Sequence, residues 1–274
     1  MKKVLAAIAA LGIASGVIAA FLARYVFPYR PRVNHQAFVL PRNHANLAGL
    51  RIAFVSDTHV GPTFTSEHLR AIVRDLRREK PDILLLGGDY VSQSPYFIDE
   101  IAPVIADIAT TPRFGTWGIV GNHDVSNVRS RVERMLTDAG VDVLVNRAVA
   151  VETDRGPLWL VGIDDLLLGR PDLAAAFAGV PADAASICLW HEPDAAERVA
   201  PYVPFLMLSG HTHGGQVRLP GLGPLALPKA GKRYASGRYE LGDMTLFVSN
   251  GVGLYRPPVR LGTPPELVMI HLVA

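Results

Sequence analysis

An α/β layered domain behind a long apolar N-terminal helix is the architecture expected of this 274-residue chain. From residue 51 onward, short apolar runs alternate with helical patterns. Residues 4–22 carry no charge, and the later half holds more strand-like runs than helical ones. Strand–helix alternation marks a layered α/β fold, and the excess of strands makes the sheets mixed. Composition agrees: 49% hydrophobic and 19% charged residues leave ample apolar surface to bury, which excludes a disordered chain. The first 50 positions hold six basic residues (Lys2, Lys3, Arg24, Arg30, Arg32, Arg42) and no acid. The other 21 basic residues face all 25 acids, so residues 51–274 sum to −4 and a nucleic-acid-binding body is disfavoured. The lone cysteine, Cys188, rules out a disulfide within the chain.

The elements follow in order. Val4–Leu22 is broken only by Ser15 and glycines. About 20 apolar residues cross a bilayer core, whereas the apolar region of a signal peptide is about 7–15 residues long. Ile18 is also large for a cleavage site after Ala20. Residues 1–27 are therefore expected to be an uncleaved transmembrane anchor that contacts membrane lipid, with a cleaved signal as the alternative. Two lysines precede the span and four arginines follow it, which leans toward a cytoplasmic body. Residues 28–50, with three prolines and no period, read as a linker, and residues 51–274 as the domain.

Within the domain, Arg51–Ser56 is a buried-strand run. Leu69, Ile72, Val73 and Leu76 then recur at helical spacing, with Ser66 as N-cap and Pro81 as the stop. Ile83–Leu86 is a strand, and Ile98, Ile101, Ala102 and Ile105 form a second helical stripe. Gly118–Val120 closes a third strand, and Val128, Val132, Met135 and Leu136 make a third helix. Further strands are expected at Val143–Val145, Leu158–Gly162, Ser186–Trp190, Phe205–Leu208, Leu246–Ser249 and Leu267–Leu272.

Five polar segments each follow an apolar strand-like run: Asp57-Thr58-His59, Gly87-Gly88-Asp89, Gly121-Asn122-His123-Asp124, His191-Glu192-Pro193, and Gly210-His211-Thr212-His213-Gly214-Gly215. Sites in open α/β sheets gather at the carboxyl ends of strands, so these segments can converge. Oxygen donors mixed with imidazoles suit Mn²⁺, Fe²⁺ or Zn²⁺, and the absence of thiolates argues against structural zinc and iron–sulfur centres. One carboxylate shared by two ions would hold them about 3.5–4 Å apart, the spacing of two-metal hydrolysis, where a bridging water becomes a hydroxide nucleophile at neutral pH.

The set D-x-H, G-G-D, G-N-H-D, a later His, and G-H-T-H resembles the calcineurin-like metallophosphoesterase superfamily over residues 51 to about 215. The resemblance implies a four-layer sandwich of two mixed β-sheets flanked by helices. It implies that Asp57, His59 and His213 bind one metal, that Asn122, His191 and His211 bind a second, and that Asp89 bridges them. Mn²⁺ is the favoured ion. His123 would contact phosphate and act as the acid for the leaving group, held by Asp124.

Gly214-Gly215-Gln216, Asn250-Gly251-Val252-Gly253, Pro258-Val259-Arg260 and Pro264-Pro265-Glu266 are similar to a membrane-anchored bacterial branch. That branch includes Tat-exported cell-wall phosphoesterases and UDP-2,3-diacylglucosamine pyrophosphatases of lipid A biosynthesis, which implies an inner-membrane location. The implied substrate is a phosphorylated small molecule or lipid carrying a phosphodiester or pyrophosphate. A broad-specificity envelope phosphoesterase and a non-catalytic metal-stabilised binding protein are the alternatives. No protein partner is inferable. Lys229, Lys232, Arg233, Arg238, Arg256 and Arg260 follow the core motif and are candidates to clamp a second phosphate or the anionic head group, although each one singly is expected to be a solvated surface charge. Trp190 and Tyr255 are expected to be packing residues, and Cys188 buried and inert.

Overall fold

The computed structural model describes residues 1–92, 94–126 and 128–274. In chain order the elements are α1 (Lys2–Tyr25), β1 (Arg32–Val39), β2 (Arg51–Val55), α2 (Ser66–Glu79), β3 (Ile83–Leu86), α3 (Tyr96–Ala109), β4 (Thr116–Gly118), α4 (Asn122–Val125), α5 (Arg129–Asp138) and β5 (Val141–Val143). They continue with β6 (Arg147–Thr153), β7 (Gly156–Gly162), α6 (Leu173–Phe177), β8 (Ser186–Leu189), α7 (Ala196–Val199), β9 (Leu206–Ser209), β10 (Arg218–Leu219), β11 (Gly223–Pro224), β12 (Gly237–Leu241), β13 (Met244–Val248) and β14 (Glu266–Val273).

Side-chain alternation builds four layers. In β2, Ala53 and Val55 face α2, α3 and α5, while Ile52 and Phe54 face the second sheet. On that second sheet, Leu160, Ile187 and Leu208 meet them, while Val161, Cys188 and Met207 turn outward onto α6 and α7. Successive residues of a strand point to opposite faces, so strands covered on both sides read as unbroken apolar runs. The first sheet has the order β1-β14-β2-β3-β4-β5 and the second β12-β13-β9-β8-β7-β6. Both are mixed: β14 is antiparallel to β2, while β2, β3, β4 and β5 run parallel. In the second sheet, β7, β8, β9 and β13 are parallel, and the hairpin partners β6 and β12 are antiparallel to β7 and β13.

The stretch read as a linker is largely part of the body. Arg32–Val39 pairs in parallel with β14 along its full length, from Arg32 opposite Glu266 to Val39 opposite Val273. Its three prolines, Pro28, Pro31 and Pro41, bracket the strand rather than interrupt it. As a half-exposed edge strand it lacks the apolar run that flags a buried one. The α2 cap also differs: Thr65 forms a capping box with His68, so Ser66 is the first helical residue. α1 is long and apolar enough to cross a membrane, and among the described residues its apolar window is not buried against the body. Its end meets the domain: Ala23 is buried, and its carbonyl accepts the Arg260 N–H at 2.9 Å.

Candidate metal centre

Five turns meet at one end of the two sheets. Parallel neighbours present their carboxyl ends to one edge. β2, β3 and β4 do so in the first sheet, β8 and β9 in the second. The turns bring Asp57 and His59, then Asp89, then Asn122, His123 and Asp124, then His191, then His211 and His213. Asp57, His59, Asp89, His211 and His213 all hold positive φ between 42° and 69°. They make up half of the ten described non-glycine residues in that region, so backbone strain is concentrated where the donors are. Glycine is required beside them. A Cβ on Gly121 would collide with Asp89 Oδ1 and lie 2.8 Å from His191 Nε2, and one on Gly210 would collide with Asp57 Oδ2.

The donors form two main groups, Asp57 with His59 and His213, and Asp89 with His191 and His211. Asp89 stands between the groups, its Oδ2 3.4 Å from His59 Nε2 and 3.2 Å from His191 Nε2. Asp57 Oδ1 lies 3.6 Å from His213 Nε2 and 3.8 Å from His191 Nε2. Backbone fixes the orientations. The His211 N–H donates to Asp57 Oδ1 and the His123 N–H to Asp89 Oδ1, both at 2.9 Å. His191 Nδ1 donates to the Gly87 carbonyl at 2.7 Å, which leaves Nε2 for the site. His211 Nε2 donates to the Lys229 carbonyl at 2.8 Å, which leaves Nδ1.

Burial lowers His59 to about 3, with Asp89 opposing it. Burial and the charge of His191 lower His211 to about 4, and burial and His59 hold His213 well below the usual range. These three rings are neutral, the form that binds a cation. Burial raises Asp57 to about 6. Burial would raise Asp89 too, but His191 and His59 outweigh it and hold that carboxyl well below its usual range. Burial would lower His191, but Asp89 and Asp57 outweigh it and hold the ring well above.

Asp57 Oδ2, His59 Nδ1, Asn122 Oδ1, His123 Nδ1 and His191 Nε2 are buried without a hydrogen-bond partner. Buried polar atoms are normally paired, and several unpaired ones at a single site fit a cation as the missing partner. Oxygen and imidazole donors with one carboxylate between two groups suit a dinuclear centre of divalent ions.

Three expectations change here. Asp124 does not hold the His123 ring. Its Oδ2 accepts from the N–H of Asp89 (2.7 Å) and of Gly121 (3.0 Å), and its Oδ1 from that of Tyr90 (2.9 Å). Adjacent residues on a helical turn point about 100° apart, so the carboxylate faces inward and pins the β3 and β4 turns together. Burial and the Asp89 charge push its carboxyl up to about 8. Tyr255 is not a packing residue. It is 37% exposed and borders the cleft, its ring 4.8 Å from that of His123. Arg260 is not a surface charge. It is fully buried, donates to the Gly251 and Gly253 carbonyls, and sets Nη2 3.2 Å from His213 Nδ1.

His123 is brought to the cleft as expected, its ring 4.9 Å from that of His59. It also forms a third donor group with His59 and Asp89, so its position suits a ligand as well as an acid. The cleft above the donors has a volume of about 320 Å³, and Leu167, Pro228, Lys229 and Tyr255 stand at its rim.

Residues 50–215 match the family model described as calcineurin-like phosphoesterase. An uncharacterized metallophosphoesterase, YkuE, of Bacillus subtilis is 31% identical over 252 residues, covering 91% of this chain and 88% of its own. The phosphodiesterase YaeI of Escherichia coli is 34% identical over 238 residues, covering 83% and 84%. A transmembrane protein with metallophosphoesterase domain from Danio rerio is 32% identical over 243 residues, covering 83% of this chain and 54% of its own.

Proposed function

The chain belongs to the calcineurin-like phosphoesterase family and is a metal-dependent phosphoester hydrolase. From that premise we propose that it is a membrane-anchored, two-metal enzyme cleaving a phosphodiester or pyrophosphate in a bacterial inner membrane, with a cytoplasmic body. The observation that carries this reading is the Asp89 carboxylate, within 3.4 Å of one donor group and 3.2 Å of the other. Asp57, His59 and His213 would hold one ion, Asn122, His191 and His211 the other, and Asp89 both, with Mn²⁺ favoured. Bound ions supply an acidified water and neutralise phosphoryl charge. His123 faces the cleft and would protonate the leaving oxygen.

A lipid-linked substrate is supported by the apolar helix α1 and by the apolar rim residues Leu167 and Tyr255. The diester class is supported by the similarity to the Escherichia coli phosphodiesterase YaeI. UDP-2,3-diacylglucosamine is the lipid-linked pyrophosphate placed first. One feature favours the second reading, a broad-specificity envelope phosphoesterase: Lys229 is the single Lys or Arg side chain among the described cleft-lining residues, few contacts for a nucleotide. The test is purified full chain in detergent with Mn²⁺, assayed on phosphomonoesters, phosphodiesters and UDP-linked lipids. Preferential cleavage of the UDP-lipid supports the first reading, comparable rates across simple esters support the second, and full turnover by metal-stripped protein overturns both. Cell fractionation checks the anchor: a full chain wholly in the soluble fraction at its intact mass overturns it.

A further inference from the structure

We propose that the β10–β11 hairpin and the loop 255–262 form a face that rests on the anionic surface of the bilayer entered by α1. This rests on the anchor reading above. Six residues separate the end of α1 at Tyr25 from the start of β1 at Arg32, and they are not free. Pro28 is buried, the Tyr29 hydroxyl donates to the Thr63 carbonyl at 2.9 Å, and the Arg260 N–H donates to the Ala23 carbonyl. A body held this tightly cannot swing away from the membrane, so the surface around the end of α1 lies at headgroup level.

That surface is continuous. Arg260 bonds the end of α1, and the next residue, Leu261, bonds the base of the hairpin: its N–H donates to the Gln216 carbonyl and its carbonyl accepts from Arg218, both at 2.8 Å. Two clefts meet at Gly262, one lined by Phe27, Arg30 and Arg32, the other by Arg218 and the hairpin turn.

Its chemistry suits an anionic interface. Arg30, Arg32, Arg218 and Arg256 are exposed here, and residues 213–239 and 249–265 contain no acid, in a body whose net charge is negative. Beside these charges the hairpin turn leaves Leu222 72% exposed, and Leu225 just beyond it is 56% exposed. Exposed leucines flanked by arginines gain from contact with acyl chains and anionic headgroups together. Tyr255, at the rim of the metal cleft, adjoins Arg256 on the same loop, so the face also sets that cleft beside the headgroups.

The test uses the full chain reconstituted in vesicles, with single cysteines carrying an environment-sensitive nitrobenzoxadiazole probe. Cys188 is fully buried and its thiol is held far above the usual range by burial, so the added cysteine labels selectively. Leu222→Cys and Leu225→Cys report the face. Ile13→Cys reports α1, and Asp154→Cys, in the exposed β6–β7 turn, reports the far end of the second sheet. In vesicles containing anionic lipid, probes at 222 and 225 are expected to shift to the blue and to be quenched by a headgroup nitroxide, and the probe at 154 not. Arg218→Glu with Arg256→Glu is expected to abolish the quenching at 222. Quenching at 13 without quenching at 222 and 225 overturns the docking face while leaving the anchor intact. Absence of quenching at 13 as well overturns the anchor and the face with it. Equal quenching at 222 in neutral and anionic vesicles overturns the role given to the arginines.

Discussion

Arg260 and His213 meet beneath the metal site, the guanidinium Nη2 standing 3.2 Å from the imidazole Nδ1. Both residues are buried. Burial lowers the guanidinium to about 10, with Asp57 and Glu266 opposing, so it stays charged at neutral pH. The nearby positive charge helps burial and His59 keep the ring neutral. The same guanidinium satisfies the Gly251 and Gly253 carbonyls, in the turn packed against Asp57.

Arg260→Met should therefore act on both fold and metal. The Gly253 carbonyl would lose its donor, at a cost of about 1–3 kcal/mol, while the Gly251 carbonyl keeps the Glu266 N–H. The expected outcome is a lower denaturation midpoint together with reduced metal content per chain. Arg260→Lys should recover charge but not the forked geometry, and so restore only part of the midpoint. A variant with wild-type midpoint and metal content would show that Arg260 supports neither.

Asp89→Asn tests the shared carboxylate. An amide loses the charge that balances two cations while keeping nearly the same shape. Turnover should fall by about 10²-fold or more, beyond the 10–100-fold typical of losing a partner outside the ligand shell. Metal analysis should show fewer than two ions per chain. Wild-type metal content with wild-type turnover would remove Asp89 from its place between the two groups.

Much of this site was legible because its chemistry is local. Each donor sits within five residues of a strand end, so an apolar run followed by Asp, His or Gly marks both the element and its site. The parallel order of β2, β3 and β4 then brings the marked turns together. What escaped was long-range. β1 pairs with β14 across more than 200 residues and shows no apolar run, because one face is half-exposed. Arg260 looked like any arginine, since its partners are backbone carbonyls and a histidine 47 positions away. The edge strands β6 and β12 escaped for the reason that hid β1: intermediate burial blurs the apolar alternation.

Asp124→Ala separates a structural role from a catalytic one. The Asp124 carboxylate accepts three backbone N–H bonds from two turns that carry Asp89 and Asn122. Removal leaves three buried donors unpaired at about 1–3 kcal/mol each, with partial relaxation making the total less than the sum. The midpoint should drop strongly, and metal content should drop with it because the two turns lose their register. A variant that keeps stability and metal but loses turnover would return Asp124 to a role on the His123 ring.

His123→Ala addresses the proton. The ring lies over the cleft, 4.9 Å from the His59 ring and 4.8 Å from that of Tyr255, and its Nδ1 has no protein partner. Two roles fit that position: ligation beside His59 and Asp89, or donation to the leaving oxygen. They separate by leaving group. A nitrophenyl ester departs without protonation, whereas an alkyl diester needs a proton as its bond breaks. If His123 is the acid, the variant keeps its metal and loses about 10²–10⁴-fold in turnover of the alkyl diester, with a smaller loss for the nitrophenyl ester. Metal content and both rates, measured on wild type and variant, decide it. Loss of one metal equivalent would make His123 a ligand, and equal losses for the two esters would make it a phosphate-binding group. Because Asp124 is occupied by backbone N–H groups, the proton on His123 is not held by that carboxylate. Tyr255→Phe provides a second check: it keeps the ring beside that of His123, so if the tyrosine hydroxyl takes no part, the leaving-group dependence should be unchanged.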